Sequence, residues 1–113
     1  MLAHLLALAM MQKQIPSAEF LFNTCQSSLR ITEGSKPDPK DFAGGNYCVG
    51  YIEGFMEGSG TMKRGACVPE STDIEPIIRA YVAYLIKHPE EKKLEKRMVL
   101  SFALADAYPC PAK

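Results

Sequence analysis

The sequence predicts an all-α protein, a compact four-helix domain stapled by two disulfides, and three observations carry that reading. Apolar residues recur at helical spacing in four separate segments. No segment alternates apolar with polar residues as a half-buried strand does. Four cysteines, at positions 25, 48, 67 and 110, fall beside or within the expected helices.

The chain opens on LAHLLALAMM, residues 2–11, a ten-residue apolar run interrupted by His4. A bilayer span needs about 20 apolar residues, so this is no membrane helix. Its length and the triplet Ala7-Leu8-Ala9 fit the apolar region of a secretory signal, although the positively charged leader is missing. Residues 1–16 are therefore expected to be a signal peptide that is truncated or given a late start codon, and residues 17–113 a single helical domain. The competing reading is an N-terminal helix docked on the core and ended by Pro16.

Ser17 stands where an N-cap belongs, and helix one is expected from about Ala18 to Ile31, with Leu21, Cys25 and Leu29 on one stripe and Phe20 and Phe22 beside it. Gly34, Pro37 and Pro39 mark the segment from Thr32 to Phe42 as a surface loop. Helix two is expected from Asn46 to about Gly60, with Cys48, Ile52, Phe55, Met56 and Ser59 on one side. Gly50, Gly54 and Gly58 share a face of it. Each costs roughly 1 kcal/mol relative to Ala in a helix interior, so close approach by another helix, or by a second copy in a homodimer, is expected to offset them.

A Gly-rich basic connection, Ser59 to Ser71, leads to helix three. Thr72 and Glu75 have the form of a capping box, with Pro76 harmless in the first turn. Ile77, Ile78, Tyr81, Val82, Leu85 and Ile86 give its core stripe. His88-Pro89 stops it, and Pro89 with Glu90-Glu91 starts helix four, where acidic side chains meet the positive end of the dipole. Leu94, Met98, Phe102 and Ala105 are expected to face the core, up to Tyr108-Pro109.

The 113 residues carry 13 Lys+Arg against 13 Asp+Glu, and this balance argues against nucleic acid, whose affinity scales with the phosphates neutralised. The cysteines form no C-x-x-C pair, so a structural zinc site is disfavoured. Bridges are the better reading, and they imply export, because they persist in the periplasm and are reduced in the cytosol. A short turn between helices three and four makes them antiparallel, which places Cys67, before one, near Cys110, after the other. Antiparallel packing of helices one and two likewise brings Cys25 to Cys48. The rival pair Cys48–Cys67 needs the connection to run back along roughly 20 Å of helix almost fully extended. Cys25–Cys48 and Cys67–Cys110 are the predicted bridges.

Catalysis finds little support. Every thiol has a bridge partner, which leaves none free as a nucleophile. His88 sits at a helix junction, where turn formation accounts for it. Glu53 and Glu57 are an i, i+4 carboxylate pair on a helix expected to be solvated there. Lys92, Lys93, Lys96 and Arg97 are interleaved with Glu90, Glu91 and Glu95, as i, i+4 pairing on a wet face would have them. No cofactor or metal motif is present.

The ordered fragments Cys48-Val-Gly-Tyr-Ile-Glu-Gly, Cys67-Val-Pro, Tyr84-Leu-Ile-Lys-His-Pro-Glu90 and Ala103-Leu-Ala-Asp-Ala-Tyr-Pro-Cys110-Pro resemble the Rap/Tai family of small exported immunity proteins, over roughly Ser17 to Pro111. The resemblance implies a helical periplasmic protein whose characterised relatives neutralise peptidoglycan-cleaving amidase effectors delivered by type VI secretion. It also implies steric inhibition by a loop or helical surface, and a tendency to dimerise. The matched residues are framework, so no contact residue carries across. On the residues themselves, the Ser59 to Ala66 loop with Lys63 and Arg64 is the expected inserted element, since loops on rigid scaffolds carry recognition. The alternative function is an exported stress or chaperone-like binding protein without an effector.

Overall fold

A computed structural model describes residues 16–34, 36–59 and 65–112. Helix α1 spans Ala18–Thr32, α2 Pro39–Ser59, α3 Ile74–Lys87 and α4 Lys96–Ala107, with a 3-10 helix at Pro89–Lys93 between the last two. No strand occurs among the described residues, which hold two isolated backbone bridges, Ser17 with Glu95 and Ala66 with Pro109. The fold is all-α, as the periodicity predicts. The expected signal peptide lies outside the described residues except for Pro16.

The most extensive pairing is between α1 and α2, which run antiparallel. Residues early in α2 meet residues late in α1, and the fully buried Cys25–Cys48 bridge ties the middle of the pair. Small side chains allow this closeness: a Cβ added at Gly44 would lie 3.1 Å from Ser27 Oγ, and one at Gly45 would lie 3.2 Å from Ser28 Cα. Thr24 and Ser27, buried in the contact, turn their hydroxyls back on α1 and donate to the carbonyls of Leu21 and Asn23. At the open end Arg30 donates through Nε and Nη2 to Asp41 Oδ1.

Helix α2 begins at Pro39, seven residues before the expected Asn46. The reason is a reciprocal cap: the Asp41 amide donates to Asp38 Oδ1 at 3.1 Å, and the Asp38 amide donates to Asp41 Oδ2 at 3.0 Å. Pro39 then occupies the first helical position, where its missing amide hydrogen costs nothing. The capping box expected at Thr72–Glu75 does not form. Helix α3 starts after Asp73 without a side-chain cap, and Glu75 pairs with Arg79 at 2.9 Å. Ser17 precedes α1 and pairs through its backbone with Glu95, but its hydroxyl makes no capping hydrogen bond.

The expected fourth helix is broken. Leu94 is extended (φ −81°, ψ 170°), and its carbonyl accepts the Ala18 amide at 2.8 Å. Tertiary backbone pairing with the start of α1 thus overrides local helix preference, and α4 restarts at Lys96 in a new phase. Lys96, Val99, Leu100, Ala103 and Leu104 are buried, whereas the expected Met98 and Phe102 are exposed. In α3 the expected stripe holds for Ile77, Ile78, Tyr81, Val82 and Leu85, while Ile86 is exposed. Tyr81 anchors the centre, its hydroxyl donating to the Ala18 carbonyl at 2.9 Å.

The glycine face of α2 is the largest correction. A Cβ added at Gly50, Gly54 or Gly58 meets nothing within 4 Å, so no helix among the described residues approaches there. Gly44 and Gly45 make the close approach instead.

Candidate functional site

The C-terminal half of α2, the segment from Val68 to Asp73 and the first turn of α3 enclose a groove of about 590 Å³. Its apolar lining is Met56, Val68, Pro69, Ile74 and Ile77. Glu53, Glu57, Glu70 and Asp73 line it as well, and all four residues are exposed. Glu53 and Glu57 share one helical face because they are four residues apart. Glu70 and Asp73 reach the same groove because the chain turns there, the Thr72 amide donating to the Pro69 carbonyl at 3.0 Å.

This wall is fastened from below. Cys67–Cys110 joins it to the end of α4, the Cys67 amide donates to the Tyr108 carbonyl at 2.8 Å, and Ala66 pairs with Pro109. Both predicted bridges are therefore present. They differ in setting, since Cys25 and Cys48 are buried whereas Cys67 and Cys110 are exposed.

Lys63 and Arg64, the expected contact residues, lie outside the described residues. Glu53 and Glu57 are exposed, as expected of a solvated face, and line the groove together with apolar residues. His88 caps the end of α3 at the junction with the 3-10 helix. Its Nδ1 stands 3.7 Å from carboxylate oxygens of Glu90 and Glu91, and its ring lies 4.4 Å from that of Tyr84. The Tyr84 hydroxyl donates to Glu91 at 2.9 Å, and burial together with this acceptor pushes the phenol up to about 12. His88 thus belongs to a turn, as its position suggests.

The basic cluster does not form the expected wet i, i+4 ladder, because the segment is not one continuous helix. Lys92 Nζ sits 4.3 Å from the centroid of the Phe22 ring. Lys96 is buried over the faces of Tyr47 and Tyr51, 4.2 Å from the latter, and donates to the Tyr47 hydroxyl. Cation–π attraction and the buried stem make this placement tolerable for an ammonium. Tyr47 also meets the Phe20 ring edge-on at 5.0 Å, and Tyr51 and Phe55 continue the row along α2. The Tyr51 hydroxyl is buried without a partner among the described residues, and burial pushes it up to about 12.

The model of one family, described as Rap1a immunity proteins, matches residues 17–110. No curated protein and no solved structure matches the chain.

Proposed function

The chain belongs to the family of Rap1a immunity proteins, and from that premise we propose that it binds a peptidoglycan-cleaving amidase effector of a type VI secretion system and inhibits it sterically in the periplasm. The observation that carries the reading is the family match across α1 to Cys110, the whole disulfide-stapled domain. Two bridges support an oxidising compartment. No helix among the described residues is long and apolar enough to cross a membrane, which is compatible with that placement. Inhibition needs no chemistry from this chain: a rigid scaffold that covers an enzyme's cleft is sufficient, and its contacts are drawn from loops held at the scaffold's end. The Ser59 to Ala66 connection, with Lys63 and Arg64, is the element assigned to the cleft. It joins α2 to the groove wall that Cys67–Cys110 pins down.

The test is a titration of purified protein against the amidase encoded beside it, with peptidoglycan cleavage as the readout. Stoichiometric inhibition is expected, and Lys63→Ala/Arg64→Ala should weaken it by at least tenfold. Full amidase activity at a severalfold excess of wild-type protein would sink the reading.

A further inference from the structure

The groove beside α2 has a charge and an apolar lining that select one class of ligand. Glu53, Glu57, Glu70 and Asp73 give it four carboxylates, and no Lys, Arg or His among the described residues lines it. None of the ion pairs among the described residues engages any of the four. Like charges collected around one concavity repel, and a cation placed among them relieves that repulsion.

A metal ion is a poor fit for this set. The His/Cys/Asp/Glu group close enough to converge on one ion is His88 with Glu90 and Glu91, elsewhere on the surface; the groove's acids do not converge in that way among the described residues. They share the groove's lining with the apolar Met56, Val68, Pro69, Ile74 and Ile77. The complementary shape is a ligand with an apolar body and positive ends. Lysine and arginine side chains have that construction, laying their methylene stems on apolar surface while the head reaches a carboxylate. A volume near 590 Å³ suits a few residues of polypeptide.

We propose that this groove receives an arginine- or lysine-bearing apolar segment of the effector, a second contact beside the inserted loop. This assignment rests on the effector-immunity reading, and it adds a complementarity of opposite sign: the chain's basic loop enters the amidase, and a basic segment of the amidase enters this acidic groove.

Two measurements test it. In the first, a capped alternating leucine–arginine tetrapeptide and its leucine–glutamate counterpart are titrated into the isolated protein while the methyl resonances of Met56, Val68, Ile74 and Ile77 are followed. The basic probe should shift these methyls, the acidic probe should not, and the shifts should fade as salt rises from about 0.05 to about 0.5 M. Glu53→Gln/Glu57→Gln/Glu70→Gln/Asp73→Asn, all exposed positions whose neutralisation leaves the core untouched, should weaken the basic probe about tenfold. Equal response to both probes, or a basic probe indifferent to the fourfold neutralisation, overturns the proposal. So does basic-probe binding that emerges only in Lys63→Ala/Arg64→Ala, since the groove would then belong to the chain's own basic pair.

In the second, affinity for the neighbouring amidase is compared between wild type and the fourfold variant. A loss of tenfold or more supports the proposal. Unchanged tight binding overturns the groove contact and leaves the effector reading standing, whereas no binding by wild type overturns the effector reading itself and the effector segment assigned to the groove with it.

Discussion

Replacing Gly50, Gly54 and Gly58 together by alanine should stabilise the protein, and the sign follows from empty space. Glycine in a helix interior costs about 1 kcal/mol relative to alanine, because it loses more backbone entropy on folding. That gain is realised only where a methyl group fits, and at all three positions an added Cβ meets nothing within 4 Å. Gly50 and Gly54 are interior to α2, while Gly58 is in its last turn and contributes less, so the triple variant should gain about 2 kcal/mol. For a domain of this size each kcal/mol moves Tm by about 4–8 °C, which gives a rise of about 10 °C. Gly45→Ala is the control of opposite sign. Its Cβ would lie 3.1 Å from Ile31 Cδ1 and 3.2 Å from Ser28 Cα, and backbone cannot rotate aside. Overpacking costs about 1–3 kcal/mol, which outweighs the propensity gain, so Tm should fall by several degrees. Thermal and urea unfolding at several protein concentrations give both values. A triple variant no more stable than wild type would refute the reasoning. If wild-type Tm also fell on dilution while the variant's did not, the glycine face would be identified as the contact of a homodimer.

The two tyrosines with buried hydroxyls, Tyr81 and Tyr51, make a matched pair. Tyr81→Phe leaves the Ala18 carbonyl without its donor and should cost about 1 kcal/mol, whereas Tyr51→Phe removes a hydroxyl that has no partner and should be neutral or stabilising by urea unfolding. Mild reductant under native conditions should open Cys67–Cys110 while Cys25–Cys48 stays closed, as read by alkylation and mass spectrometry; equal labelling of all four cysteines would contradict the difference in exposure. Asp41 is held down to about 2 from 3.8, first by the Arg30 hydrogen bond and then by the Asp38 amide. Its folded value lies below its unfolded one, so its stabilisation is complete above about pH 4 and is lost as pH falls through about 2. Asp41→Asn should therefore flatten the acid limb of the stability profile between those values.

Much of the fold is legible because local and tertiary preferences agree. The stripe of α3 and the placement of Cys67 before α3 and Cys110 after α4 depend on spacing alone, and spacing survives small errors in helix boundaries. The errors arise where the deciding partner is distant in sequence. Leu94 reads as a helical core residue until the Ala18 amide claims its carbonyl, and that exchange shifts the buried face of α4 by about one residue around the helix. Gly44 and Gly45 fall in the gap between the expected loop, which ends at Phe42, and the expected helix start at Asn46, yet they are the residues that let α1 and α2 touch. Asp38-Pro39-Lys40-Asp41 held the signal for the true start of α2: an acidic cap, proline at the first position and a second acid three residues on.

The groove was half legible for a related reason. Glu53 and Glu57 announce a shared helical face, but Glu70 and Asp73 come from a turn whose position is set by Cys67–Cys110, Ala66 against Pro109, and the Cys67 amide on Tyr108. The exposed bridge thus has a role that the buried one lacks. Cys25–Cys48 cross-links two helices that already pack through Thr24, Ser27, Ser28, Gly44 and Gly45, whereas Cys67–Cys110 closes 43 residues and fixes a segment with little core of its own. In the chain-entropy account a loop of that length is worth about 4 kcal/mol, and here the constraint falls on the wall of the groove. Cys67→Ser/Cys110→Ser should consequently lower affinity for a groove ligand more than its cost in stability explains, with the helices intact by circular dichroism at a temperature well below the variant's Tm. Undiminished probe affinity in that variant would show that Val68 to Asp73 holds its place without the bridge.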